Sequence, residues 1–113
     1  MGKDAKVFLS DILHSIKLIE HHVEGVKTVK EYQKNFLVSD AVLRRLSIIG
    51  EALAKATALN SKIQVSHQKK IIGLRHIIIH DYDKVDDNAI WSIVQIYLPI
   101  LKSEIEKLII EEY

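Results

Sequence analysis

Apolar residues return every third or fourth position through most of the chain, the spacing of helices that bury one face. Val7, Phe8, Ile12, Ile16, Ile19, Val23 and Val26 make the first stripe and predict a helix over about residues 4–25, ending near Gly25. Thr28 and Glu31 stand at capping-box spacing. They predict a short helix over about 29–35, with Tyr32 and Phe36 turned inward. Ser39 is the next N-cap candidate, ahead of Leu43, Leu46, Ile49, Leu53 and Ala56 on a helix of about 40–58 that Asn60-Ser61 ends. Gly50, Ala52, Ala54, Ala56 and Ala58 are small and let a neighbour come close.

Ser66 can cap a fourth helix of about 67–80. Its apolar positions, Ile71, Ile72, Leu74, Ile77, Ile78 and Ile79, cover more than half the circumference at 100° per residue. In so short a chain, a second apolar side predicts a partner subunit. Residues 81–87 are a polar break, and Asp86 or Asp87 caps a last helix of about 87–111. Its stripe is Ile90, Ile93, Val94, Tyr97, Ile100, Leu101, Ile105, Leu108 and Ile109, with Pro99 inside it predicting a kink. The expected fold is all-α: an antiparallel bundle of four long helices plus one short helix.

Composition narrows the chemistry. The 113 residues are about one domain's worth, so 1–113 is expected to form a single domain. Four glycines and one proline leave little for the turns of a β fold. No cysteine is present, which excludes disulfides, zinc–thiolate sites and thiol catalysis. Apolar runs reach three residues, against roughly 20 for a membrane span. The start, Met1-Gly2-Lys3-Asp4, lacks the apolar stretch of a leader and reads as that of a cytoplasmic protein. The net charge of +1 hides a sided distribution: residues 61–82 carry +3 and half of the six histidines, and residues 83–113 carry −4.

The basic stretch holds the candidate chemistry. Arg75 and His80, five apart, point about 140° from one another on a straight helix. Arg75 and Tyr82 share a face. The three converge only if the helix loosens around His80 or a second subunit supplies some of them. Alternatively, Arg75 neutralises Asp81 or Asp83, and His80 is a helix C-terminal residue favoured by the dipole. His76 and His80 share a face, as metal ligands can, but no third ligand follows at a suitable spacing and Ile77 stands where HExxH needs Glu. His14, His21 and His22 acquire no role. No nucleophile elbow or phosphate-binding glycine loop is present.

Residues 75–82, Arg-His-Ile-Ile-Ile-His-Asp-Tyr, match the R-x4-H-x-Y pattern of the HEPN superfamily, and the chain resembles its HepT-like ribonuclease toxins. Ile48-Ile49-Gly50-Glu51-Ala52, Gly73-Leu74-Arg75, Ile90-Trp91 and Leu98-Pro99-Ile100-Leu101 extend the resemblance over essentially the whole chain. His76 stands where the family usually has Asn, and Val65-Ser66-His67 replaces a common Ile-Pro-Trp. The resemblance implies a homodimeric bundle with the motif at the interface, and metal-independent RNA cleavage with no cofactor. It also implies a toxin–antitoxin pair, in which an MntA-type minimal nucleotidyltransferase silences the toxin by transferring AMP to Tyr82. Under it, Arg75 and His80 are catalytic, His76 and Tyr82 support substrate binding, and Tyr82 is the modified residue. His80 can act as base or acid near neutral pH, and Arg75 can offer donors to the phosphoryl oxygens. The alternative is a non-catalytic module that binds a nucleotidyltransferase and helps it hold substrate.

Overall fold

The computed structural model describes residues 4–113, so the start of the chain that bears on location, Met1–Lys3, lies outside the described residues. All regular structure among them is helical, as expected from the spacing of apolar residues. Helix α1 is Ala5–His22, opened by Asp4, whose carboxylate accepts the Val7 N–H at 3.2 Å. It buries Leu9, Ile12, Ile16 and Ile19. Gly25, at φ +84°, turns the chain after it.

Helix α2 is Val29–Lys34. Thr28 accepts the Glu31 N–H at 3.2 Å, and the Glu31 carboxylate reaches back to the Lys27 N–H at 2.8 Å. Tyr32 is fully buried, but Phe36 is 75% exposed rather than turned inward. The cause is the start of α3, Phe36–Leu59. Asn35 caps it, accepting the Val38 N–H at 3.1 Å, so Ser39 lies inside the helix with its hydroxyl donating to the Phe36 carbonyl. Asparagine caps as well as serine, and capping there carries Phe36 and Leu37 onto the outer face of the first turn. Helix α3 packs along α1 on one side and against α4, Gln68–His80, on another.

Helix α4 is not capped by Ser66, whose N–H and hydroxyl both donate to the Glu104 carboxylate. The residue ahead of α4 is His67, held in the left-handed region at φ +58°, with its ring stacked on Tyr97 at 4.3 Å between centroids. A 3₁₀ turn, Tyr82–Lys84, leads into α5, Asp87–Ser92, which Asp86 caps through the Asn88 N–H at 2.9 Å. A π-helical turn, Ile93–Tyr97, joins α5 to α6, Leu98–Glu112. The irregularity expected at Pro99 thus falls one turn earlier, where Leu98 N–H bonds the Ile93 carbonyl. Proline cannot donate and crowds the carbonyl four residues back, and a wider turn makes room for both faults. The extra residue in that turn rotates α6 relative to α5. Leu98, Leu101 and Ile105 are buried, Tyr97 is only half-buried, and Ile100, expected in the stripe, is exposed. Among the described residues, no helix is long and apolar enough to cross a membrane.

Candidate active site

The candidate residues sit on the outer side of α4 and just beyond its end. Ile71, Leu74 and Ile78 face the core, which leaves Arg75, His76, Ile77, Ile79 and His80 exposed. The helix does not loosen before His80, because the Asp81 N–H still bonds the Ile77 carbonyl at 2.9 Å. Arg75 and His80 therefore point about 140° apart. Ile72 and Ile79 lie between Arg75 and His76 around the helix. His76 and His80 do come together, with ring centroids 4.8 Å apart.

Arg75 pairs with neither Asp81 nor Asp83. Its Nε lies 3.8 Å from the Glu51 carboxylate on α3, whose other oxygen is 3.4 Å from Lys55 Nζ. Gly50 makes this possible. A Cβ there would stand 2.8 Å from the Ile71 carbonyl oxygen, so only glycine lets α4 lie this close to α3. Both Arg75 and Glu51 are about half exposed, so the pair orients the guanidinium more than it stabilises the fold. Glu51 had no role assigned from sequence. The signal that could have found it was the neighbouring Gly50, a small residue in mid-helix.

No hydrogen bond or ion pair holds the His80 ring among the described residues, and its ring contact is with His76. Tyr82 is 60% exposed and borders a cleft of about 300 Å³ with Phe36, Asp40, Asp83 and Asp87. Beneath this region Tyr32 is sealed against Trp91, at 5.6 Å between ring centroids, and its hydroxyl has no partner among the described residues. Burial raises the Tyr32 pKa well above its ordinary value, and the charges of Asp87, Tyr82 and Asp40 add to this.

The basic stretch divides. His67 and Lys70 are committed to Tyr97, with Lys70 Nζ 4.8 Å from the ring centroid. Lys69, His76 and His80 line one outer stripe of α4. His21 sits 3.9 Å from Glu24 beyond α1, a surface pair with no link to this stripe. Among the described residues, no group of three or more His, Asp or Glu is set to hold a metal ion.

The chain as a whole is similar to known proteins. The family profile "Ribonuclease HepT-like" matches residues 12–108. "Putative RNase MJ1380" of Methanocaldococcus jannaschii is 36% identical over 107 residues, 92% of this chain and 95% of that protein. "Gamma-glutamylcyclotransferase and putative RNase MJ0434" of the same organism is 37% identical over 113 residues, 98% of this chain but only half of that longer protein. "Probable ribonuclease HepT" of Thermococcus cleftensis is 29% identical over 109 residues, 96% and 98% of the two chains. No solved structure matches the chain.

Proposed function

Because the chain belongs to the HepT-like ribonuclease family, we propose that it cleaves RNA without a metal ion, as the toxin of a toxin–antitoxin pair, at a site shared by two copies. The observation that carries this reading is the exposed set of Arg75, His76 and His80, with Arg75 and His80 on divergent faces of one regular helix. One chain cannot aim both Arg75 and His80 at a single phosphate. Two copies meeting across the flank of Ile72 and Ile79 can, each covering the other's exposed isoleucine (Ile79 is 50% exposed). Apolar surface of this kind is commonly covered by a partner.

The chemistry then needs only what the RNA and the two chains carry. One histidine takes the proton from the 2′-hydroxyl, whose oxygen forms a bond to phosphorus. The bond from phosphorus to the 5′-oxygen breaks, and a second His80 returns a proton to that leaving group. Arg75 donates to the non-bridging oxygens as charge develops on them, and the Glu51 carboxylate holds its orientation. Tyr82, exposed two positions beyond His80, is the acceptor of AMP from a minimal nucleotidyltransferase partner. The esterified phosphate puts a bulky anion beside the site and turns RNA away.

The test is cleavage of single-stranded RNA by the purified chain with EDTA present. His80→Ala and Arg75→Ala are each expected to lose about 10²- to 10⁴-fold in rate while keeping their helicity. Full activity in either variant, or abolition of wild-type activity by EDTA, defeats the mechanism. A wild-type chain that binds the nucleotidyltransferase but never cuts RNA belongs to the non-catalytic reading instead.

A further inference from the structure

Between α4 and α5 runs an apolar groove of about 320 Å³. Leu74, Ile78 and Ile93 form its floor, with Gly73 and Ile77 on one wall and Ala89 on the other. Gly73 has no reason to be glycine within this chain. It lies inside a helix, where glycine costs stability relative to alanine, and a Cβ there would meet nothing within 4 Å. Gly50, by contrast, is required by packing. What Gly73 keeps open is the mouth of the groove.

Charge distinguishes this groove from the cleft beside Tyr82. Lys69, Lys70 and Lys84 border it, and its one carboxylate, Asp86, is occupied in capping α5. Lys70 is held by Tyr97, while Lys69 and Lys84 have no ion-pair or hydrogen-bond partner among the described residues. At the other end of the site, the cleft beside Tyr82 is lined by Asp40, Asp83 and Asp87, which repel phosphate. Gly73 and His80 are seven residues apart, nearly on one face and about 10 Å apart along the axis. That is a reach of one or two nucleotides.

We propose that this groove is a nucleobase subsite for the RNA strand: a base one or two nucleotides from the cleaved phosphate lies on the aliphatic floor, and Lys69 and Lys84 hold the adjoining phosphates. The strand thus runs from His80 toward the start of α4 and away from Tyr82. This rests on the ribonuclease reading above. A second copy of the chain is the poorer occupant, because a symmetric contact centred here sets lysines against lysines. A groove of this volume also admits one flat group more readily than a helix.

The experiment uses the 113-residue chain with His80→Ala, in which cleavage is expected to fall about 10²- to 10⁴-fold so that binding is read before cutting. A fluorescein-labelled RNA decamer of mixed sequence is compared, by anisotropy, with a decamer of the same length whose central nucleotides are abasic. The mixed decamer is expected to bind at least about fivefold tighter, the gain from burying roughly 40 Å² of apolar surface at about 25 cal/mol per Å². Gly73→Leu and, separately, Ala89→Leu in that background are expected to remove this difference and leave abasic binding unchanged. Lys69→Ala with Lys84→Ala is expected to weaken both RNAs and flatten the salt dependence. Equal binding of the two decamers, or a difference that survives both groove variants, overturns the proposal. So does conversion of a dimer to monomers by Gly73→Leu in light scattering, which makes the groove a subunit contact. Base-dependent binding without any cleavage by the wild-type chain removes the ribonuclease reading but keeps the subsite. Cleavage without base dependence does the reverse.

Discussion

His80 and Tyr82 lie two positions apart, and they stand in opposite electrostatic settings. His80 shares its stripe with Lys69 and His76, while Tyr82 faces Asp40, Asp83 and Asp87. Among the tyrosines, only Tyr82 is open on the surface without a hydrogen-bond or ring partner among the described residues. Tyr32 is sealed, Tyr97 is covered by His67 and Lys70, and the Tyr113 hydroxyl accepts from Asn60 at 3.0 Å. Incubation with the cognate nucleotidyltransferase, ATP and Mg²⁺ is therefore expected to add one AMP, at Tyr82. Tyr82→Phe is expected to keep part of the nuclease activity and escape the modification. Intact mass with peptide mapping checks this. AMP on another tyrosine, or an unchanged mass gain in the Phe variant, removes Tyr82 from the regulatory role.

The two mid-helix glycines make opposite predictions at the scale of elements. Gly50→Ala forces a methyl to within 2.8 Å of the Ile71 carbonyl, backbone against backbone, so α3 and α4 must separate. Overpacking of this kind costs about 1–3 kcal/mol. Gly73→Ala meets open space and is expected to gain about 0.5–1 kcal/mol from helix propensity. Urea unfolding of the two variants should shift in opposite directions, and a common rise would deny the close approach of α4 to α3. The stripes of Ile12, Ile16 and Ile19, and of Leu46, Ile49 and Leu53, were legible in sequence because periodicity reports burial directly, but at the start of α1 it is Leu9 that is buried while Val7, expected in the stripe, is exposed. The ends of elements were less so. Asn35 and Ser39 are equivalent as caps by type, and only the fold selects one. Ser66 was drawn away by Glu104, 38 residues on, which no local rule can see. The divergence of Arg75 and His80 comes from helical arithmetic alone, whereas the hold of Glu51 on Arg75 needed two helices to be placed.

At the scale of the whole molecule, large apolar side chains reach the surface on several elements, from Val7 on α1 to Ile110 on α6. Ile77 and Ile79 on α4, and Phe36 and Leu37 at the start of α3, are large and open to water. Ile79, left half exposed between the faces of Arg75 and His80, is the feature that most favours a second copy. Light scattering at micromolar concentration is expected to give twice the 12.9 kDa of the chain. A mass of one chain would leave Arg75 and His80 on separate faces with nothing to unite them, and the composite site would fall with the dimer.

The sealed hydroxyl of Tyr32 couples folding to alkalinity. The folded chain keeps this proton to a higher pH than the unfolded chain, in which tyrosine ionises near pH 10. The stability tied to that proton is complete below about pH 10 and drains away as pH rises beyond it, since unfolding then releases a proton that folding must recapture. Tyr32→Phe removes both the linkage and an unsatisfied buried oxygen, so it is expected to lose less stability between pH 9 and pH 11 than the natural chain. Urea midpoints for the two proteins at those pH values measure the difference, and parallel declines would trace the alkaline loss to other groups. A helix of six residues, α2, thereby ties part of the bundle's stability to a single proton.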